Sequence, residues 1–158
     1  MHVRALRSAD EAEILQAFER MSDAARYMRF MRVGREPDPQ RLRAVLTSFP
    51  EAGIGIVATV PAADGIDIVG SAIAVFTTER TSCEFAVTVA SEFGGTGLAT
   101  RLMTTLIDEA KRRGQKEMEG LVLKQNQSML RLAKRLGFRV ESDPDDPTVR
   151  WCRLSLAG

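Results

Sequence analysis

The stretch from Ser82 to Arg113 constrains the fold of this chain more tightly than any other. "SCEFAVTV" (82 to 89) alternates as a strand does, "GGTG" (94 to 97) places three glycines in four positions, and Leu98, Leu102, Leu106, Ile107 and Ala110 then recur at helical spacing. Glycine at a helix start means that the backbone takes positive φ or lies close against something. The first-turn N–H groups of the following helix point out of the loop, and together with the positive end of the helix dipole they form an anion site. A pyrophosphate suits it, because small residues let its oxygens reach several backbone donors. The loop lacks the Lys-Ser/Thr ending of a P-loop, and it follows strands joined by hairpin turns, whereas a dinucleotide fingerprint opens a βαβ unit. A turn that merely joins strand to helix is the alternative.

The rest of the chain supplies the elements around this one. "HVRAL" (2 to 6) reads as a short strand, and Ser8 with Glu11 forms a capping-box pattern ahead of a helix to about residue 20. "ARYMRFMR" and "PDPQRLRAVLTSF" read as two further helical stretches. "GIGIVATV" (53 to 60), "IDIVGSAIAVFTT" (66 to 78) and "SCEFAVTV" are β-branched runs separated by turn-like breaks, hence three antiparallel strands. After the long helix, in which Asp108 faces Arg112 at i,i+4, come a strand "KEMEGLVLK" (116 to 124) and a helix in "NQSMLRLAKRLGF" that Gly137 ends. "RVES" and "TVRWCRLSL" are the last two strands, the second of them fit either to pair across a dimer or to form an ordinary sheet edge. The predicted order is β-α-α-β-β-β-α-β-α-β-β, an α/β mixture around a mostly antiparallel sheet.

Composition narrows the function. A chain of 158 residues with a formal net charge of +1 fits a single domain with its own core and carries no basic footprint for nucleic acid. No apolar run approaches the ~20 residues that span a bilayer, and "MHVRALRSADEAE" lacks a signal-peptide core, so a cytoplasmic protein is expected. Cys83 and Cys152 are expected to be small buried hydrophobes, with neither a disulfide framework nor a thiolate metal site. The one histidine, His2, removes Ser-His-Asp, Cys-His and histidine-zinc chemistry.

The glycine loop resembles motif A of the GCN5-related N-acetyltransferase superfamily, Q/R-x-x-G-x-G/A, with Gly94, Gly95, Thr96, Gly97, Leu98 and Ala99 in register. "CEFAVTVASEF" is similar to the superfamily's central strand, and "NQSMLRLAKRLGF" to its segment running from asparagine to a Gly-Phe pair. More narrowly, "ARYMRFM", "CEFAVTV" and "LVLKQNQSMLRLAKRLGF" resemble the catalytic domain of bacterial protein lysine acetyltransferases, which modify acyl-CoA synthetases. The resemblance implies one domain over residues 1–158, with a mixed, mostly antiparallel sheet of about seven strands flanked by about four helices. It also implies acetyl-CoA as acyl donor without a metal, a protein substrate such as an acyl-CoA synthetase, no nucleic-acid or membrane partner, and a monomer or homodimer. Two positions depart from the pattern. The motif's Gln/Arg is Gly94, and the tyrosine that serves many members as general acid is Ala133.

Acyl transfer to an amine needs the neutral amine. A lysine with pKa ~10.4 is neutral about once in 2,500 molecules at pH 7, a demand of roughly 4.6 kcal/mol that a nearby base lowers. In "SCEFAVTV" the face of Cys83, Phe85, Val87 and Val89 reads as core, and that of Ser82, Glu84, Ala86 and Thr88 as space for a ligand with a carboxylate at its rim. Glutamate is depleted in strands, so Glu84 needs a reason, and a salt-bridged or edge-exposed residue is the alternative. The resemblance implies that Glu84 is the general base, and partial burial would raise its pKa. It further implies that the main chain of Val87 and Val89 holds the pantetheine arm and that Gly94, Gly95, Thr96, Gly97, Leu98, Ala99 and Thr100 hold the pyrophosphate. Asn126 would contact the arm, although a plain N-cap explains it too. Solvent or Ser128 protonates the departing thiolate. The acids of "ESDPDDP" either steer a cationic lysine or form a solvated turn, and Arg26, Arg29 and Arg32 grip a ligand or lie on a charged helix face. The function expected is an N-acetyltransferase working by direct attack in a ternary complex. A small-molecule amine acetyltransferase and a catalytically inactive CoA-binding sensor are the alternatives.

Overall fold

β-branched and aromatic residues favour the pleated backbone, and tight turns between such runs produce antiparallel neighbours. The computed structural model describes residues 2–6, 10, 51–63, 65–77, 81–89 and 95–156. They form strands β1 (His2–Ala5), β2 (Gly53–Ala62), β3 (Gly65–Phe76), β4 (Ser82–Val89), β5 (Glu117–Leu123), β6 (Arg139–Ser142) and β7 (Val149–Ser155), with helices α1 (Leu98–Arg112) and α2 (Gln127–Arg135). The three helical stretches expected between residues 8 and 49 lie outside the described residues.

The strands make one seven-stranded sheet in the order β1-β2-β3-β4-β5-β7-β6. Every neighbouring pair is antiparallel except β4 and β5, which are parallel. A parallel pair requires a crossover, and α1 is that crossover. The expected mixed, mostly antiparallel sheet is what is observed. β7 is inserted between β5 and β6, which corrects the reading of "TVRWCRLSL" as a sheet edge or a strand free to pair across a dimer: both of its edges are taken, and β6 is the outer strand.

The core lies between the sheet and the two helices. α1 buries Leu98, Leu102, Met103, Leu106, Ile107 and Ala110 against Ile54, Ile56, Ala72, Ala74, Phe85 and Val87. Each fully buried Leu stabilises by about 1.5–3 kcal/mol relative to exposure, so this stripe fixes where the helix start sits over the sheet. Cys83 and Cys152 belong to this core, both fully buried, and burial pushes their thiols up to about 12 and about 11. They are the buried hydrophobes expected. At the exposed end of α1, Arg112 pairs with Glu109 at i,i+3, 2.8 Å away, and not with Asp108. No described helix is long and apolar enough to cross a membrane.

Candidate active site

β4 and β5 stay paired for only three rungs, Ser82↔Glu117, Cys83↔Met118 and Glu84↔Glu119. β4 continues beside β3 as far as Val89, and β5 continues beside β7 as far as Leu123. Past Glu84 the two strands therefore diverge, and the main-chain groups of β4 on that side have no ladder partner. Packing beside the fork is close. The ring of Phe85 lies across Gly120, where even a Cβ would come within 2.7 Å of it, and Phe138 meets the same ring edge-on at 5.3 Å between centroids. A side chain at 120 and a ring at 85 cannot both occupy that space.

The helix start faces the gap. Gly97 is the N-cap of α1 with φ +83° and no side-chain cap, and Gly95 has φ +77°. Both lie in the left-handed region that side chains avoid, so the glycines serve backbone direction. The uncapped first-turn N–H groups point into the opening with the positive helix end behind them. A cavity of about 570 Å³ joins these parts. One wall is Phe85, Val87, Thr88 and Val89; the floor is Gly95, Gly97, Leu98, Ala99 and Thr100; the other wall is Val122 with Asn126, Ser128, Met129, Arg131, Leu132 and Arg135.

Polar groups around this space are set for a ligand that carries phosphates and an amide-bearing arm. The Thr88 hydroxyl is buried and finds no hydrogen-bond partner among the described residues. An orphaned buried hydroxyl costs about 1–3 kcal/mol unless something bonds it, which fits a ligand along β4. The open edge of β4 can add an extended arm as it would add a strand. α2 carries no acid, and Ser128, Arg131 and Arg135 follow one another at helical spacing along its cavity face. An acyl-CoA fits this donor set: the N–H groups of α1 and two guanidinium groups for phosphates, a strand edge and a hydroxyl for the arm.

Of the residues singled out from sequence, Val87, Val89, Gly95, Gly97, Leu98, Ala99, Thr100 and Asn126 line the cavity together. Thr96 is exposed and does not line it, and Gly94 lies outside the described residues. Asn126 caps α2, its Oδ1 accepting the Met129 N–H at 3.3 Å and the Ser128 hydroxyl at 3.1 Å, so it is both a cap and a wall. Ala133 is fully buried in the core and is not part of the wall.

Glu84 is partly buried at the last β4–β5 rung, on the sheet face opposite Phe85 and Val87, and it does not line the cavity. The expected division of β4 is corrected accordingly. The face of Phe85, Val87 and Val89 is core near α1 and cavity wall at the fork, because the strands part there. On the other face Ala86 is covered by an apolar cluster with Ile73, Leu121 and Val149, which separates the polar Glu84 from Thr88 at the cavity. The acids after β6 fold their own turn: Asp143 accepts N–H groups from Asp145 and Asp146 and the indole N–H of Trp151, which is the solvated-turn reading. Arg26, Arg29 and Arg32 lie outside the described residues. Thr88 belongs to the face of β4 read as ligand space, whereas Arg131 and Arg135 are cavity residues that no motif singled out. The i,i+4 spacing of two arginines beside Ser128 on an acid-free helix was the available signal.

The model of the Acetyltransferase (GNAT) family matches residues 18–138. "Acetyltransferase PA5475" of Pseudomonas aeruginosa is 34% identical over 154 residues, covering 98% of this chain and 83% of that protein. Among solved structures, the GNAT domain of S. lividans PAT has a TM-score of 0.78 at 19% identity, covering 97% of this chain and 89% of that one. Salmonella typhimurium yncA, described as a putative acetyltransferase solved with its cofactor acetyl-CoA, has a TM-score of 0.75 at 23% identity, covering 100% and 95%. Both structural likenesses establish the fold. With a family match across most of its length, a relative 34% identical over 98% of the chain and this cavity, the chain belongs to the Acetyltransferase (GNAT) family and is an acyl-CoA-dependent N-acyltransferase with acetyl-CoA as donor.

Proposed function

We propose that the acceptor is a lysine side chain on a protein, attacked directly in a ternary complex with Glu84 as general base. The observation that supports this reading is the position of Glu84: it is the last residue of β4 paired with β5 before the sheet opens, and it is partly buried on the sheet face opposite Phe85 and Val87. Its strand also resembles, in "CEFAVTV", the strand that bears the base of bacterial protein lysine acetyltransferases.

Acetyl-CoA supplies an acyl carbon activated as a thioester. The main chain of Val87 and Val89 would hold its arm along the open edge of β4, with the Thr88 hydroxyl and Asn126 beside it, and the N–H groups from Gly95 to Ala99 would take the pyrophosphate. Gly94 and Thr96 would contribute through the loop backbone. Glu84 takes the proton of the lysine ammonium directly or through one water, lowering the roughly 4.6 kcal/mol that deprotonation demands at pH 7. With Ala133 in place of a tyrosine, Ser128 on the cavity wall or solvent returns a proton to the leaving sulfur.

Calorimetric titration with acetyl-CoA, desulfo-CoA and ATP tests the site, and Glu84→Gln tests the base. Micromolar binding confined to the CoA compounds is expected in both proteins, with turnover lower by about 10²-fold in the variant. Wild-type turnover by Glu84→Gln sinks the assignment of the base, and a screen that finds only free polyamines or other small amines as acceptors sinks the protein substrate.

A further inference from the structure

Glu84 is not alone at the fork. The rung Glu84↔Glu119 places two carboxylates on the same sheet face on neighbouring strands. Side chains directly across a rung stand about 5 Å apart, and like charges so placed repel. β7 supplies the compensation. Arg153 stands opposite Glu119 in the β5–β7 register and pairs with it through Nη1, while its Nε lies 3.7 Å from Glu141 and its guanidinium covers the Trp151 ring at 4.9 Å. Arg153 is thus fixed from three sides, and its side chain is only 30% exposed.

The other described charges on the strands of this face can be named: at the far end of the sheet β1 carries His2 and Arg4, the latter paired with Asp10 at 2.7 Å. β4 adds none besides Glu84, and Val75, its partner on β3, does not titrate. β5 carries Glu117 and Glu119, β7 carries Arg153, and β6 carries Arg139, opposite Arg153, and Glu141. Arg139 and Glu141 lie 3.9 Å apart at the exposed end of the row. Along the rung outward from the fork the charges therefore run acid, acid, base, base: Glu84, Glu119, Arg153 and Arg139.

We infer that the Glu119–Arg153 pair sets the pH at which Glu84 gains its proton, Arg153 holding the Glu119 charge away from it. This extends the reading of Glu84 as base and rests on it for its catalytic meaning. Glu119 and Arg153 are positioning residues: they act through Glu84.

The two halves of one ion pair then have opposite effects. Without Arg153, an uncompensated Glu119 faces Glu84 and favours its protonated form. Without Glu119, the positive charge of Arg153 is left on the row and favours the carboxylate. The test is a ¹³C carboxyl titration by NMR of the full chain, with the Glu84 resonance identified by its loss in Glu84→Gln, set beside the acidic limb of the kcat/KM–pH profile. Arg153→Met is expected to move the Glu84 midpoint up by about half a unit to one unit and Glu119→Gln to move it down by about half a unit, with the double variant close to wild type. Arg153→Lys keeps the charge and is expected to keep the midpoint, so it carries the test against Glu119→Gln if Arg153→Met does not fold. Damage to packing alone lowers the melting temperature without producing opposite shifts. Shifts of the same sign, or shifts below about 0.2 units in both single variants, overturn the inference. If the resonance moves as expected and the acidic limb does not follow it, the coupling stands and Glu84 is not the base.

Discussion

The two edges of β5 behave differently. Toward β7 the strand is paired along its whole length, from Glu117↔Ser155 to Leu123↔Val149, whereas toward β4 pairing stops at Glu119. One strand thus serves as framework on one side and as the rim of a binding site on the other. At the end of the paired stretch the Phe85 ring is seated over Gly120, a close packing that only glycine permits. A sheet that has to admit an extended ligand leaves one main-chain edge open, and the rest of the sheet secures the strands that flank it.

Substitutions on the two sides should separate activity from stability. The largest expected effect is on the open side, where Glu84→Gln lowers turnover about 10²-fold with little change in melting temperature; a large fall in melting temperature instead would make Glu84 a framework residue. Next is Gly97→Val, which forces a β-branched residue to φ +83° at the helix start. It should cost about 1–3 kcal/mol of stability and weaken acetyl-CoA binding about tenfold or more, by denaturant melts and calorimetry. At the fork itself, Gly120→Ala puts a methyl group into the Phe85 ring. A loss of about 1–3 kcal/mol is expected, and unchanged stability would show that the ring yields easily. Asn126→Ala removes the α2 cap and should cost about 1 kcal/mol, with weaker cofactor binding as a second readout.

The smallest effect belongs to the framework side, at the entry to β7. Hydrogen bonds from the Thr148 hydroxyl and N–H hold the Asp146 carboxyl below its ordinary 3.8. A depressed carboxyl contributes stability that is present above the unfolded value and lost as pH falls through the folded one. Thr148→Val should therefore be less stable than wild type at pH 5, and the difference should shrink toward pH 3. A difference independent of pH would assign the effect to packing.

Local features of the fold were legible in the residues. The β-branched runs, the helical stripe from Leu98 to Ala110 and the glycines at 95 and 97 each follow from short-range sterics and burial, and the structure has them where the pattern put them. The place of β7 was not legible, because an alternating strand looks the same at an edge and one strand in from it; only the whole sheet decides. For the same reason the fork escaped notice. It depends on how far β5 follows β4, and the row beside it depends on Glu119 meeting Arg153, residues 34 positions apart. The two faces of β4 were separated correctly by alternation, yet where one of them stops being core and starts being cavity is set by how far the neighbouring strand follows. Gly94 and the helical stretches between residues 11 and 50 hold further expectations that the described residues do not reach.

The buried cysteines have a practical outcome for the bench. Each turnover of an acyl-CoA-dependent transferase releases one free thiol, and a chromogenic disulfide reagent reacts with thiolate and not with thiol. Cys83 and Cys152 are fully buried, with their thiols pushed to about 12 and about 11, so at neutral pH the folded enzyme presents almost no thiolate of its own. Product can therefore be followed continuously by colour without a blank from the protein, and a rising blank would report unfolding in the same cuvette.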